Sequence, residues 1–147
     1  MTQVSQSTKS TNIIDARGPR FGAVITTAVL ATALATNSVW VIVAQAIVFA
    51  IGAIKGPQFT PYAFIFKTLV KPRLKSAFVS EDVRPPQFAQ TVGLLFALTA
   101  IGGVLFGVNA IFTIAVAFAL GAAFLNAAFN FCLGCEIYLL LLRARSK

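Results

Sequence analysis

The chain has 147 residues, 58% hydrophobic and only 11% charged, with a mean hydropathy of +0.85 and a formal net charge of +8. A soluble domain carries about 25% charged residues, so an apolar excess of this size faces lipid. The basic residues fall in short clusters between apolar runs rather than in a groove-lining stripe with interleaved aromatics, which excludes nucleic acid as the partner and leaves the bilayer.

The polar stretch at residues 1–13 reads as a disordered cytoplasmic tail. No small-residue cleavage site follows a short apolar core, so the first apolar run is expected to remain as a span. From Phe21 to Ile54 nothing is charged. As one helix this run would be about 50 Å long, against a bilayer core of about 30 Å. It must fold back, and Thr36-Asn37-Ser38 is its one polar, turn-favouring cluster. The expected helices are 21–36 and 39–55. Residues 62–70 form a short apolar segment opened by Thr60-Pro61, with Thr as N-cap and Pro in the first turn. A second uncharged run, Phe88 to Asn130, folds back at Gly107-Val108-Asn109 into helices 87–107 and 110–130. A second short segment follows at 136–142. Both short segments are too short to span and are expected at the interface. The fold expectation is an all-α integral membrane domain over 14–147, with four transmembrane helices as two hairpins.

With four spans, all twelve Lys and Arg fall on one side: Lys9, Arg17 and Arg20; Lys55, Lys67, Lys71, Arg73, Lys75 and Arg84; Arg143, Arg145 and Lys147. The basic bias of cytoplasmic loops then places both termini in the cytoplasm, with the chain in the plasma membrane.

The halves 14–75 and 81–145 resemble each other. "DARGPRFG" from Asp15 and "DVRPPQFA" from Asp82 share Asp-x-Arg-x-Pro-x-Phe, and "FTPYAFIFKTLVKPR" from Phe59 aligns with "FCLGCEIYLLLLRAR" from Phe131. Asn37 and Asn109 align as turn residues. Two spans per half preserve orientation, so the repeat is parallel, with its axis along the membrane normal. In each helix-start motif Asp15 or Asp82 suits the positive end of a helix. Pro19 and Pro86 suit a first turn that needs no donor. Arg17, Arg20 and Arg84 suit phosphate headgroups or those aspartates. A structural role is favoured over a gate.

The alignment sets Cys132 opposite Thr60, at the N-cap of the second short helix. The helix dipole there lowers a thiol pKa from its free value near 8.5. Cys135 follows one turn later on the same face, within disulfide reach. Cys132 is the expected attacking thiol and Cys135 the resolving one. Gly134 relaxes the backbone between them, and Glu136 opposes thiolate formation. Redox or sulfur chemistry is favoured, and two other readings stay open: cysteines as small buried hydrophobes, and a metal site. The second is hard to complete, because two thiols without histidine supply half of a tetrahedral zinc set. Covalent haem attachment is excluded because residue 136 is Glu. No cofactor or metal is expected. Asn126 and Asn130 share a face of the last span near Cys132, as interhelical glue or as part of the site. Gln45 reads as a packing contact. Gly52-x-x-x-Gly56 and Gly103-x-x-x-Gly107 permit close helix approach.

On the paired helix starts and the terminal Cys-x-Gly-Cys, the chain resembles the family of small bacterial multipass membrane proteins described as domain of unknown function 4395, over about residues 14–142. The resemblance implies thiol or sulfur handling with a thioredoxin-like or sulfurtransferase (rhodanese-like) partner. The expected function is therefore thiol–disulfide exchange or sulfur relay through Cys132 and Cys135 at the cytoplasmic face. The alternatives are a non-catalytic subunit that scaffolds a larger membrane complex through residues 67–84, and a small transporter acting as a homodimer or larger oligomer.

Overall fold

The structure, a computed structural model, describes residues 13–15, 17–73, 80–129 and 131–146. The tail at 1–12, Lys9, Lys75, Lys147 and Asn130 lie outside the described residues. In chain order the elements are strand β1 (Ile13–Asp15), helices α1 (Arg17–Thr36) and α2 (Val39–Ile54), a 3-10 turn (Pro57–Phe59), and short helix α3 (Pro61–Ile65), which runs on as a π turn (Phe66–Val70) and a 3-10 turn (Lys71–Arg73). Strand β2 (Ser80–Asp82) and helices α4 (Arg84–Leu105), α5 (Asn109–Phe129) and α6 (Leu133–Ser146) follow.

The fold is all-helical apart from one small antiparallel ribbon that the sequence did not suggest, in which Ile13 pairs with Asp82, Ile14 with Glu81 and Asp15 with Ser80. It ties the starts of α1 and α4 together. Three helices, α1, α4 and α5, are long and apolar enough to cross a membrane. With 16 residues, α2 is about 24 Å long and falls short of a ~30 Å hydrocarbon core. The outward surface is apolar, with Trp40 77% and Phe106 84% exposed, and Leu95, Leu98, Ile114 and Phe118 exposed as well. Apolar surface of this extent belongs against lipid. Thr27, Thr36 and Thr99 donate their hydroxyls to the carbonyls of Ala23, Thr32 and Leu95, at 2.7, 2.7 and 2.8 Å. This removes each hydroxyl's need for water.

The first reversal is at Asn37, whose φ of 54° is left-handed, a conformation that Asn adopts more readily than most residues. In the second, Gly107 takes that role with φ 75° and Asn109 instead opens α5. The two asparagines therefore do not occupy equivalent places. Only the first glycine of each small-residue pair makes a close approach. A Cβ on Gly103 would lie 2.7 Å from the Ile111 Cβ and one on Gly52 2.7 Å from the Gln90 Oε1, whereas Gly56 and Gly107 serve turns.

In the bundle α2 lies along α4 and α1 along α5, so each hairpin's first helix packs on the other's second. The main core is near the two reversals: Leu30, Ala33, Ile42, Ala100, Phe112 and Val116 are all buried there. A smaller cluster of Ala46, Phe49 and Ala97 continues it. Toward the opposite end, where the helix starts and the cysteines lie, the bundle is hollow.

Candidate functional site

The hollow end is organised by the two helix-start motifs. The Arg17 N–H donates to Asp15 Oδ1 at 3.1 Å, and its guanidinium reaches Asp15 Oδ2 at 2.8 Å. The Arg84 N–H donates to Asp82 Oδ1 at 2.9 Å, and its guanidinium closes onto the same carboxylate. That guanidinium holds the Asp82 carboxyl below its ordinary pKa. Each aspartate thus fixes the first turn of a helix whose leading N–H groups have no acceptor of their own. Pro19 and Pro86 sit in those turns, where a missing donor costs nothing. Of the two expected uses for Arg17 and Arg84, the structure places both guanidinia on the aspartates. Arg20 instead donates to the Ala127 carbonyl at 3.3 Å, near the end of α5. Gln87 on α4 donates to the Ala53 carbonyl at 2.8 Å, near the end of α2.

Two short helices close this end. In α3 the Thr60 Oγ1 accepts the Ala63 N–H at 3.2 Å and donates to the Pro57 carbonyl at 2.8 Å, as an N-cap does. In α6, which extends beyond the expected 136–142 in both directions, the Cys132 sulfur accepts the Cys135 N–H at 3.2 Å. Cys132 therefore caps this helix, and it is joined to Cys135 by a disulfide with Cα atoms 5.2 Å apart. Cys132 is half-buried and Cys135 is 8% exposed. Gly134, expected to loosen the backbone, is helical, and its missing side chain lets α6 seat on α4: a Cβ there would lie 2.7 Å from the Ala89 Cα. Tyr138 packs on Phe88 with ring centroids 5.5 Å apart. Glu136 points into the exposed part of the first turn.

A cavity of about 550 Å³ lies between these parts. Its wall includes both cysteines, Gly134 and Glu136, the turns at Pro19 and Pro86, Asn126 of α5, and Arg20, Tyr62 and Gln90. Cys132, Cys135, Gly134, Glu136 and Asn126, expected to belong together, line one space. The aspartates and Arg17 and Arg84 shape its rim from outside. Three polar residues were underread. Gln45, only 1% exposed, accepts the Tyr62 hydroxyl at 2.7 Å. Burial pushes the Tyr62 pKa up, so the hydroxyl remains a donor. Gln90 presses on Gly52, and its buried Oε1 has no hydrogen-bond partner among the described residues. Glutamine inside an apolar run is the signal that could have singled out both amides.

No curated protein and no solved structure matches this chain. The model of the family described as domain of unknown function (DUF4395) matches residues 14–143, nearly the whole chain, and the chain belongs to that family.

Proposed function

We propose that the chain is a plasma-membrane thiol–disulfide exchange protein whose site is the Cys132–Cys135 pair at the cytoplasmic face, working with a thioredoxin-like or sulfurtransferase partner. The observation that carries this reading is the pair itself, closed as a disulfide across the first turn of α6 with one sulfur as the helix cap. When the pair is reduced, a thiolate at Cys132 sits at the positive end of α6. It attacks a partner disulfide, a mixed disulfide forms, and Cys135 displaces the partner's thiolate to regenerate the internal bond. The reverse sequence reduces the pair. A dithiol that closes on itself suits exchange better than sulfur relay, which requires only one carrier thiol.

In this reading four helices cross the bilayer in two hairpins related by a parallel repeat, with both termini cytoplasmic. Paired contacts support the repeat. The rings of Phe21 and Phe66 lie 5.8 Å apart, those of Phe88 and Tyr138 5.5 Å. Arg20 and Gln87 each reach a carbonyl late in the other hairpin's second helix. The short α2 is accommodated by its cytoplasmic extension through Lys55 and the turn at Pro57.

The test is trapping in cells. Cys135→Ser should accumulate a mixed disulfide through Cys132, and Cys132→Ser should not. Cytoplasm-side alkylation of the reduced protein should label Cys132 first. Absence of any trapped species, together with Cys132 titrating as an ordinary thiol, sinks the proposal.

A further inference from the structure

Resting on the exchange reading, we infer that the cavity beside the disulfide binds a lipid-soluble quinone, the two-electron carrier that re-oxidises the Cys132–Cys135 dithiol. Exchange with a protein partner only moves a disulfide from one molecule to another, so sustained turnover in one direction needs a second redox partner. That partner must reach the pair by a different route. Cys135 is nearly closed off from the outside, yet it lines the cavity with Cys132.

The cavity selects the carrier's chemistry. At about 550 Å³ it falls within the size range of small-molecule sites, about 300–1,000 Å³. It runs from Pro85 to Phe96 along α4, about 16 Å at helical rise, which takes it from the helix starts to hydrocarbon depth. Phe49, Phe96 and Phe118 line its deeper part, a wall suited to a flat ring and an isoprenoid tail. Gln90 contributes the buried Oε1 that has no partner among the described residues, and a hydroquinone hydroxyl would donate to it. Asn126 adds an amide on the α5 side. An ionic sulfur species would be poorly matched to a wall this apolar. In the step, two S–H bonds break and one S–S bond forms. The two electrons pass to the quinone ring, and the two thiol protons end on its oxygens as hydroquinone.

The experiment uses full-length protein in phosphatidylcholine nanodiscs, reduced, freed of reductant and mixed with decylubiquinone. The expected result is hydroquinone formation matched by loss of alkylatable thiols, at a rate that saturates with quinone concentration. The Cys132→Ser, Cys135→Ser double variant should be inert. Ala122→Phe, which fills the cavity from α5, should slow quinone reduction about tenfold or more while exchange with a reduced thioredoxin-type dithiol persists. Persistent exchange without quinone reduction overturns this inference and leaves the proposed function standing. A rate linear in quinone overturns it too, since it shows collision without a site, and that measurement needs no variant. Loss of exchange in the wild-type protein instead removes the reading on which the inference rests.

Discussion

The turn that begins α3 and the turn that begins α6 are built alike and used differently. In both, the residue before the helix accepts the N–H three positions on at 3.2 Å, through the Thr60 hydroxyl in one and the Cys132 sulfur in the other. In both, an aromatic residue of the short helix or its extension stacks on a phenylalanine near the start of a long helix. The close contact between short and long helix is inverted. Gly22 of α1 makes room for Tyr62, whereas Gly134 of α6 makes room for Ala89. The first turn is filled and pinned by a hydroxyl that bonds Gln45. The second carries sulfur where the first carries oxygen and has only glycine where the first has tyrosine, so the disulfide faces open space.

The inverted contact offers the hardest test. Gly134→Ala pushes a methyl group into the Ala89 backbone, which cannot move as a side chain can. We expect a loss of about 3 kcal/mol, the upper end for overpacking, and displacement of α6 from its seat. Adding Ala89→Gly restores room in the way the first half does and should recover most of the loss, less the helix cost of glycine, about 1 kcal/mol. Thermal unfolding in detergent reads both. If Gly134→Ala is neutral, the close approach is not what holds the cysteines at the wall. On the other side, Tyr62→Phe removes the donor to Gln45, whose Nε2 already lacks a partner among the described residues. A buried amide left wholly unpaired should cost about 2 kcal/mol, with the disulfide unaffected.

Much of this asymmetry could be read from the sequence, and the unread part has a physical reason. Uncharged runs and their polar breaks locate helices because burial in lipid forbids charge and reversal requires turn residues. The expected boundaries therefore fall within a few residues of α1, α2, α4 and α5. The Thr60–Cys132 alignment anticipated the cap because a cap is local and depends on one side chain and an N–H three residues away. The cavity, the Gly134–Ala89 approach and the Tyr62–Gln45 bond join residues far apart in sequence, where no periodicity marks a partner. The ribbon between β1 and β2 was missed for the same reason: three residues are too few for a strand pattern.

A gain-of-feature variant sharpens the comparison further. Thr60→Cys with Ala63→Cys copies the Cys132–Cys135 spacing onto the cap of α3. We expect a second disulfide to form on oxidation, seen as two fewer alkylatable thiols by mass spectrometry. Stability should fall by about 1 kcal/mol because the hydroxyl donor to the Pro57 carbonyl is lost. Catalytic exchange should not appear at this second pair, since Tyr62 occupies the place that Gly134 leaves open. Exchange at the new pair would show that the cap geometry alone makes the site.

The smallest effect separates the two helix-start aspartates. Side-chain exposure is 19% for Arg17 and 8% for Asp15, against 62% for Arg84 and 39% for Asp82. The Asp82 pKa is lowered in the fold, chiefly by the Arg84 side-chain hydrogen bond. A lowered carboxyl pKa contributes stability above the unfolded value, near 3.9, and that contribution fades as pH falls through the folded value. Because the Asp82 pair is largely solvated, water and salt screen it, and Asp82→Asn should cost about 0.5 kcal/mol at neutral pH. The loss should shrink toward zero in acid, where wild-type Asp82 is itself protonated, and should also shrink as salt is raised. Asp15→Asn should cost more and respond less to salt, because burial shields its pair. Equal costs with equal salt dependence would mean that the two starts bear the same load, and that the difference between the halves begins only at the caps.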